Sequence, residues 1–168
     1  MNELYFKDLY TICINDKMMP ERNRMIPVLK GKLEETLIAK SLVEAFGLSN
    51  DDVFVTNYGS KEDMEYDIDI IISPFNISFN CKSVNERNIN SPNYSGPLSV
   101  KTDFLIFYDY CEFNNLGECV DNPNYFYCIN ANKYMEIIKE LKPINNSFYL
   151  IDRNGIKENS IRFNFKNH

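Results

Sequence analysis

The chain has 168 residues, a hydrophobic fraction of 44% and a formal net charge of −6, which together favour one compact domain with a substantial core. The acidic balance excludes a protein that holds nucleic acid through bulk positive charge, so any nucleic-acid site must be local. The five cysteines form no CxxC pair and the single histidine is the last residue, which argues against a zinc site, a disulfide framework and a histidine base.

The first 26 residues are the least patterned part of the chain. Residues 3–13 are compatible with a short helix, and Pro20 interrupts the chain after it. The segment lacks the basic start and apolar centre of a signal peptide, and no apolar run further along reaches the length that spans a membrane. We therefore expect a cytoplasmic protein that has no membrane partner.

The clearest element of the sequence is a helix predicted for residues 27–46. Its sequence, PVLKGKLEETLIAKSLVEAF, is rich in strong helix formers, and Gly47 follows where glycine commonly ends a helix. The segment VFVTNY, residues 53–58, predicts a strand because β-branched and aromatic residues dominate it. We expect GSKEDMEY, residues 59–66, to be a loop.

Residues 67–83, DIDIIISPFNISFNCKS, predict two antiparallel strands joined by a turn at SPFN. Side chains alternate along a strand, so the isoleucines of the first strand face the core while Asp67 and Asp69 share the opposite face. With the turn centred in SPFN, Asp69 lies opposite Asn80 and Asp67 opposite Lys82. The four polar side chains then form either a site or a solvated face with an Asp67–Lys82 ion pair.

The second half of the chain predicts a loop, several strands and one helix. Residues 85–100 are polar and contain two prolines and a glycine, which is typical of an exposed loop. The order of helices and strands indicates an α/β or α+β domain around a mixed sheet. The remaining elements are a strand at 103–110, a neighbouring strand at 125–130, a helix capped by Asn130 or Asn132 and ended by Pro143, and a hairpin of residues 148–152 and 160–165 around Asn154 and Gly155.

One carboxylate falls on the apolar side of the predicted helix. With about 100° of rotation per residue, Glu35 shares its direction with Ile38 and Leu42. A buried acid is unfavourable unless it is paired or holds a metal ion. Glu35 therefore either belongs to a site or lies at the edge of the stripe, where it reaches water or pairs with Lys32 or Lys40.

The order of these residues resembles the PD-(D/E)xK nuclease superfamily: a helix glutamate, a strand aspartate, and a lysine two residues after a polar residue on the next strand. KGKLEETLIAKSLVEAFG is similar to its first core helix, with Glu35 at the glutamate, DIDII to its aspartate strand and FNCKS to its (D/E)xK strand. The continuation through KSVNERN to DFLIFYDY resembles small type II restriction endonucleases. The resemblance covers residues 28–110 and implies one domain over residues 1–168, with a restriction-endonuclease-like mixed sheet flanked by helices.

The resemblance also implies an activity and the residues that carry it. The expected reaction is hydrolysis of double-stranded DNA that depends on Mg²⁺, or on Mn²⁺. The metal ligands would be oxygens of Asp67, Asp69, Asn80 and Glu35. Lys82 would stabilise the charge that develops on the scissile phosphate and orient the attacking water. These five residues are the predicted catalytic set.

Asn80 departs from the motif, because an asparagine replaces the acid and supplies an oxygen ligand without negative charge. Two alternatives to an active endonuclease therefore stay open. One is a catalytically inactive nuclease-fold protein that binds nucleic acid or a protein partner. The other is a toxin-type nuclease of a bacterial conflict system.

Contacts with DNA are expected from loops near the hairpin, because asparagine, serine and arginine side chains can read base edges there. Cleavage of both strands needs two sites that face two phosphates, so the resemblance further implies a homodimer, with residues 1–26 as a dimerisation or accessory segment. The candidate DNA-binding residues are Lys61, Ser83, Asn85, Arg87 and Asn88, with Arg22, Arg24, Lys30 and Lys32 as further cations at the start of the helix.

Overall fold

A six-stranded mixed sheet is the centre of the computed structural model, which describes residues 2–84 and 86–166. In these residues the helices are α1 (Glu3–Asn15), α2 (Arg22–Phe46), α3 (Lys61–Tyr66), α4 (Ala131–Ile138) and α5 (Arg153–Glu158). The strands are β1 (Val53–Val55), β2 (Ile70–Ile72), β3 (Ile77–Ser83), β4 (Asn93–Gly96), β5 (Phe104–Tyr108), β6 (Glu112–Phe113), β7 (Cys119–Asp121), β8 (Tyr125–Asn130), β9 (Tyr149–Asp152) and β10 (Ile161–Asn164).

The large sheet has the strand order β1-β2-β3-β5-β8-β10, in which β3 and β5 are parallel and the other neighbours antiparallel. The predicted hairpin is confirmed, since β2 and β3 pair with Ile70 opposite Phe79, the register expected from the sequence. A short 3₁₀ turn, Ser73–Phe75, joins them and ends at Asn76 in the left-handed conformation, with a φ of 50°. Asparagine tolerates that conformation better than most residues.

Two further predictions in the second half of the chain are confirmed. The predicted neighbouring strands are β5 and β8, which pair directly. Asn130 caps α4, because its side-chain oxygen accepts a hydrogen bond of 2.9 Å from the backbone N–H of Asn132. The small sheets β4–β9 and β6–β7 complete a mixed α+β structure.

Both faces of the large sheet are covered. Alternate residues of β5 show this, because Leu105 and Phe107 belong to a core with α4, α5 and the β4–β9 pair, whereas Ile106 and Tyr108 belong to a core with α1 and α2. Burial of each such side chain contributes roughly 1.5–3 kcal/mol. The sheet therefore separates two environments, and a strand residue is assigned to one or the other by its position.

Helix α1 belongs to the core on the α2 side, where it buries Phe6, Tyr10 and Cys13. The Arg22 guanidinium donates hydrogen bonds of 2.7 and 2.9 Å to the carbonyl oxygens of Cys13 and Ile14. These bonds satisfy carbonyls at the end of α1 that lack partners within the helix. Helix α2 accordingly begins at Arg22, before the predicted start, and contains Pro27.

Two segments predicted as loops contain regular elements. Residues 59–66 include α3, because the Ser60 hydroxyl accepts a hydrogen bond of 3.3 Å from the Asp63 N–H, and because Glu62 and Asp63 place negative charge in the first turn. Residues 85–100 include β4, which pairs with β9. The loop predictions are wrong at these points, since local composition did not reveal the cap or the distant partner strand.

The predicted C-terminal hairpin is also wrong. Residues 153–158 form α5, whose first turn contains Asn154 and Gly155. The Asp152 carboxylate accepts a hydrogen bond of 2.8 Å from the Asn154 N–H and so caps this helix. The two strands then join different sheets, because β9 pairs with β4 and β10 with β8.

Gly96 provides a test of the core on the α4 side. A Cβ atom at this position would overlap the Tyr134 hydroxyl and approach Ile151 Cδ1 to 2.6 Å. We therefore expect Gly96→Ala to lower the free energy of unfolding by about 1–3 kcal/mol in urea titrations. The matched control is Gly31→Ala, which has open space around it within α2 and should raise stability by roughly 0.5–1 kcal/mol. Equal stabilities of the two variants would contradict the described packing.

Candidate functional site

A buried lysine surrounded by carboxylates joins several elements of the structure. Lys32, on α2, is only 3% exposed. Its Nζ atom lies 2.9 Å from Glu35 Oε2, 3.0 Å from Asp63 Oδ1 and 3.8 Å from Asp69 Oδ1. It also donates a hydrogen bond of 3.4 Å to the Thr56 hydroxyl oxygen. We call Lys32, Glu35, Asp63 and Asp69 the Lys32 cluster. Of the arrangements considered for Glu35 from the sequence, the ion pair with Lys32 is confirmed.

The members of the Lys32 cluster are positioned by three segments of the chain. Lys32 and Glu35 are three residues apart on α2 and so lie on the same side of the helix. Asp63 lies in the first turn of α3. Asp69 directly precedes β2, and its Oδ2 accepts a hydrogen bond of 2.7 Å from the backbone N–H of Cys81 on β3. The cluster therefore fastens α2 and α3 to the beginning of the β2–β3 hairpin.

The charges of the Lys32 cluster are unbalanced, because three carboxylates face one ammonium. Burial raises the pKa of Glu35 well above its ordinary value, and the nearby Asp69 carboxylate raises it further. Burial also raises the pKa of Asp69, against the opposing effects of the Cys81 N–H, Lys32 and Lys82. For Lys32, burial lowers the pKa, but attraction to Glu35 and Asp69 and the hydrogen bond to Asp63 outweigh it, so the net shift is upward. The ammonium therefore stays charged, and Glu35 is the carboxylate that most readily holds a proton.

Among the described residues, Lys32 is the one polar partner of Glu35 Oε2. This oxygen is buried and lies 2.9 Å from Lys32 Nζ, and the contact lowers the pKa of Glu35 against the larger effect of burial. The position of Glu35 is thus maintained by charge and by the packing of α2. Apart from Lys32, no described residue provides a hydrogen bond to this oxygen.

An open cavity of about 480 Å³, which we call the β3 cavity, lies beside β3. Asn80 is 2% exposed, and its Oδ1 accepts no hydrogen bond from the described residues. Lys82 is half-buried and forms no ion pair with the part of the chain that the structure describes. Two polar groups with unused capacity therefore share one space. The lining residues are Asp67, Asn80, Lys82, Ser95, Gly96, Pro97, Leu98, Ser99, Ser147 and Phe148.

Asp67 lies at the rim of the β3 cavity and not on a strand. It ends α3 in the left-handed conformation, with a φ of 52°, and its carboxylate lies 3.8 Å from Lys101 Nζ. Lys101 also donates a hydrogen bond of 2.7 Å to the Glu65 carbonyl oxygen. Asp67 therefore pairs with Lys101 and not with Lys82, the partner considered from the sequence. The reason is that β2 begins only at Ile70, so Asp67 does not lie on the strand.

The Lys32 cluster and the β3 cavity belong to opposite faces of the sheet. In the parallel β3–β5 pair, Asn80 is level with Leu105 and Lys82 with Phe107, and both β5 residues face the α4 side. Cys81, which lies between Asn80 and Lys82, packs against the α2 side. The structure therefore brings Asp67, Asn80 and Lys82 together and brings Glu35 and Asp69 together, as two groups.

The residues of neither group, as arranged, fit a magnesium ion. Among residues 2–84 and 86–166, no group of three or more His, Cys, Asp and Glu side chains is placed to hold a metal ion. The carboxylates that do converge enclose the Lys32 ammonium. The β3 cavity offers the Asn80 oxygen and the Asp67 carboxylate, which is already near Lys101. The catalytic and metal-binding roles of the five predicted residues stay predictions.

The candidate DNA-binding residues are dispersed. Lys61 is exposed on α3 and lies 3.9 Å from Glu65 Oε2. Ser83 is exposed at the end of β3, and Arg87 is exposed in the 3₁₀ turn Glu86–Asn88. Arg153 Nη2 donates a hydrogen bond of 3.0 Å to the carbonyl oxygen of Asn88. Asn85 lies outside the described residues, and burial removes Lys32 from the cations that reach a surface.

Sequence reasoning missed Asp63, Thr56 and Lys101 as partners of the predicted residues. A signal for Asp63 was present, because Ser60 followed three residues later by an acid is typical of a helix start. Thr56 and Lys101 carry no such signal. Their roles depend on contacts between segments that are distant along the chain.

Comparison with models of known protein families finds no match to this chain, and comparison with individually curated proteins finds none either. Within the described residues, no helix is long and apolar enough to cross a bilayer. The fold and its polar groups thus define an α+β domain with a six-stranded mixed sheet. The likeness to nucleases depends on the sequence pattern alone.

Replacement of Lys32 tests the Lys32 cluster. Lys32→Met leaves three carboxylates in a buried place without their cation, so the free energy of unfolding should fall by about 3–5 kcal/mol in urea titrations. The matched control is Lys61→Met, whose side chain is 64% exposed, and which should change stability by no more than about 0.5 kcal/mol. A Lys32→Met protein as stable as the unmodified chain would show that the cluster contributes nothing.

The raised pKa of Glu35 makes stability depend on pH. The folded state binds this proton more tightly than the unfolded state, so the contribution is present below the ordinary value of 4.5 and is lost as pH rises through the higher folded pKa. Urea midpoints should therefore fall as pH rises above 4.5, and the decline should be smaller in Glu35→Gln. The exposed Glu44→Gln serves as the control and should keep the original slope. An unchanged slope in Glu35→Gln would refute this assignment.

Proposed function

We propose that this chain is a nuclease-fold protein that binds nucleic acid at the β3 cavity and does not hydrolyse it. The division of its polar residues supports the proposal. Lys82 and Asn80 occupy an open cavity, whereas Glu35 and Asp69 are engaged by Lys32 across the sheet. The half-buried Lys82 ammonium is thus available to a phosphate, and the acids needed to activate water are already paired with Lys32.

The chemistry of the β3 cavity matches a nucleotide unit. The Lys82 ammonium has no ion-pair partner among the described residues and suits a phosphate. The buried Asn80 Oδ1 requires an N–H or O–H donor, which bases and sugars supply. Phe148 is half-buried on the lining and offers a ring for stacking. A net charge of −6 favours a short or single-stranded ligand over a long duplex.

The oxygen ligands that the β3 cavity offers argue against hydrolysis of a phosphodiester. Cleavage of a phosphodiester requires a nucleophile generated at neutral pH and help for the leaving oxygen. Asn80 supplies no negative charge and cannot act as a base. The Asp67 carboxylate at the rim is 49% exposed and close to Lys101. Binding alone therefore requires only groups that the cavity already contains.

A second candidate is a Mg²⁺-dependent endonuclease of double-stranded DNA that works as a homodimer. The observation that favours it is the β2–β3 register together with the meeting of Asp67, Asn80 and Lys82 in one cavity. This candidate requires Asp69 to leave Lys32. An Asn80→Asp variant that cleaves DNA when the unmodified chain does not would support it.

The proposal is tested by fluorescence anisotropy with labelled single-stranded DNA, duplex DNA and RNA. We expect binding that weakens with salt, and in Lys82→Met the slope of log affinity against log salt should fall by about 1. The matched control, the exposed Lys17→Met, should bind as the unmodified chain does. The same samples with Mg²⁺ or Mn²⁺ should retain intact nucleic acid on gels.

Two outcomes would overturn the proposal. The first is the absence of binding to every oligonucleotide. The second is cleavage that needs a divalent ion and disappears in Lys82→Met, which would favour the endonuclease. The strand that is cut, DNA or RNA, would then separate a restriction-type enzyme from a toxin-type nuclease.

A further inference from the structure

We infer that Lys32 is the built-in cation of the acidic centre on α2. Its ammonium takes the place between Glu35, Asp63 and Asp69 that a divalent ion would require. The native centre therefore excludes such an ion, and removal of the ammonium converts the three carboxylates into a divalent-metal site. This inference concerns the Lys32 cluster and is independent of binding at the β3 cavity.

The first support for this inference is the arrangement of oxygen atoms around Lys32 Nζ. The three carboxylate oxygens lie 2.9, 3.0 and 3.8 Å from Lys32 Nζ, and the Thr56 hydroxyl oxygen lies 3.4 Å away. Carboxylate and hydroxyl oxygens are the donors that hard divalent ions prefer. Metal–oxygen bonds of about 2.1 Å would require the Glu35 and Asp63 oxygens to move inward by roughly 1 Å and the Asp69 oxygen by about 2 Å. The spacing is therefore that of an ammonium site, and contraction becomes possible only after the ammonium is gone.

The second support is the net negative charge of the Lys32 cluster. Three carboxylates and one ammonium leave an excess of negative charge when all are ionised. Glu35 Oε2 is buried, in a residue only 8% exposed, and has no polar partner among the described residues other than the Lys32 ammonium at 2.9 Å. Without that ammonium, a buried oxygen with no partner and an excess of negative charge would remain. A doubly charged ion would compensate both.

The position of Lys32 explains why the native centre takes no second cation. The side chain is buried, and its contacts with Glu35 and Asp63 are short. Two cations within a few ångströms in a buried place repel strongly. A divalent ion would have to displace the buried ammonium from these contacts.

The experiment compares thermal unfolding with and without millimolar Mn²⁺, with Na⁺ at matched ionic strength as the reference. We expect no specific rise in Tm for the unmodified chain. For Lys32→Met we expect a rise of roughly 5–10 °C when Mn²⁺ is about a hundredfold above its Kd. The second variant, Lys32→Met with Asp63→Asn, should show a smaller rise because one ligand is weakened. Equal Tm shifts in all three proteins would overturn the inference.

Loss of folding in the single variant does not prevent the test. A Lys32→Met protein that folds only when Mn²⁺ is present supports the inference, and one that folds without any response to Mn²⁺ overturns it. The unmodified chain is examined in parallel through the ¹⁵N signals of its lysine ammonium groups. Mn²⁺ should broaden the signal of Lys32 no more than that of the exposed Lys139. Selective broadening of the Lys32 signal would show that the native centre accepts the metal and would overturn the inference.

A result against nucleic-acid binding leaves this experiment unaffected. No nucleic acid is present, and the readouts are metal-dependent unfolding and the state of one lysine. Conversely, a Lys32 cluster that proves inert toward metal leaves the binding test at Lys82 unchanged. The two proposals can therefore fail separately.

Discussion

The buried ammonium of Lys32 is the interaction on which the arrangement of the polar residues depends. A single charge in this position would cost several kcal/mol, and only the carboxylates of Glu35, Asp63 and Asp69 make it tolerable. Because these acids come from α2, α3 and the segment before β2, one charge fixes the relative positions of three parts of the chain. Because Glu35 and Asp69 pair with Lys32, they do not line the cavity on the sheet face that carries Lys82.

The sheet acts as a partition in this molecule. Elements cover both of its faces at the central strand β5, so neighbouring residues of β3 enter different surroundings. Cys81 packs toward α2, and Asn80 and Lys82 line the cavity on the other face. A polar pattern that reads as one site in the sequence is thereby divided into two. A strand with helices on both sides gives each face a separate chemistry.

Much of the fold could be predicted from local pattern. The long helix, the β2–β3 register, the pairing of β5 with β8 and the Asn130 cap all follow from short-range signals, as does the contact of Glu35 with Lys32 at three residues along one helix. The meeting of Asn80 with Lys82 follows from alternation. The position of Asp69 could not be predicted, because β2 begins only at Ile70 and the Asp69 carboxylate turns to accept a hydrogen bond from the Cys81 backbone N–H. The β4–β9 pair depended on a partner strand far along the chain. In contrast, α5 and α3 begin at the local caps Asp152 and Ser60, whose signals the loop and hairpin predictions did not use.

Helix α1 limits what the beginning of the chain can offer to a partner. Its inner side buries Phe6, Tyr10 and Cys13 in the core. Arg22, at the start of α2, donates hydrogen bonds to carbonyl oxygens in the last turn of α1. A second protein molecule would therefore meet only the outward side, where Leu4, Tyr5 and Ile12 are exposed. Shortening the chain to the start of α2 would expose apolar surface on α2. The first helix is therefore an integral part of the domain core and not a separable segment.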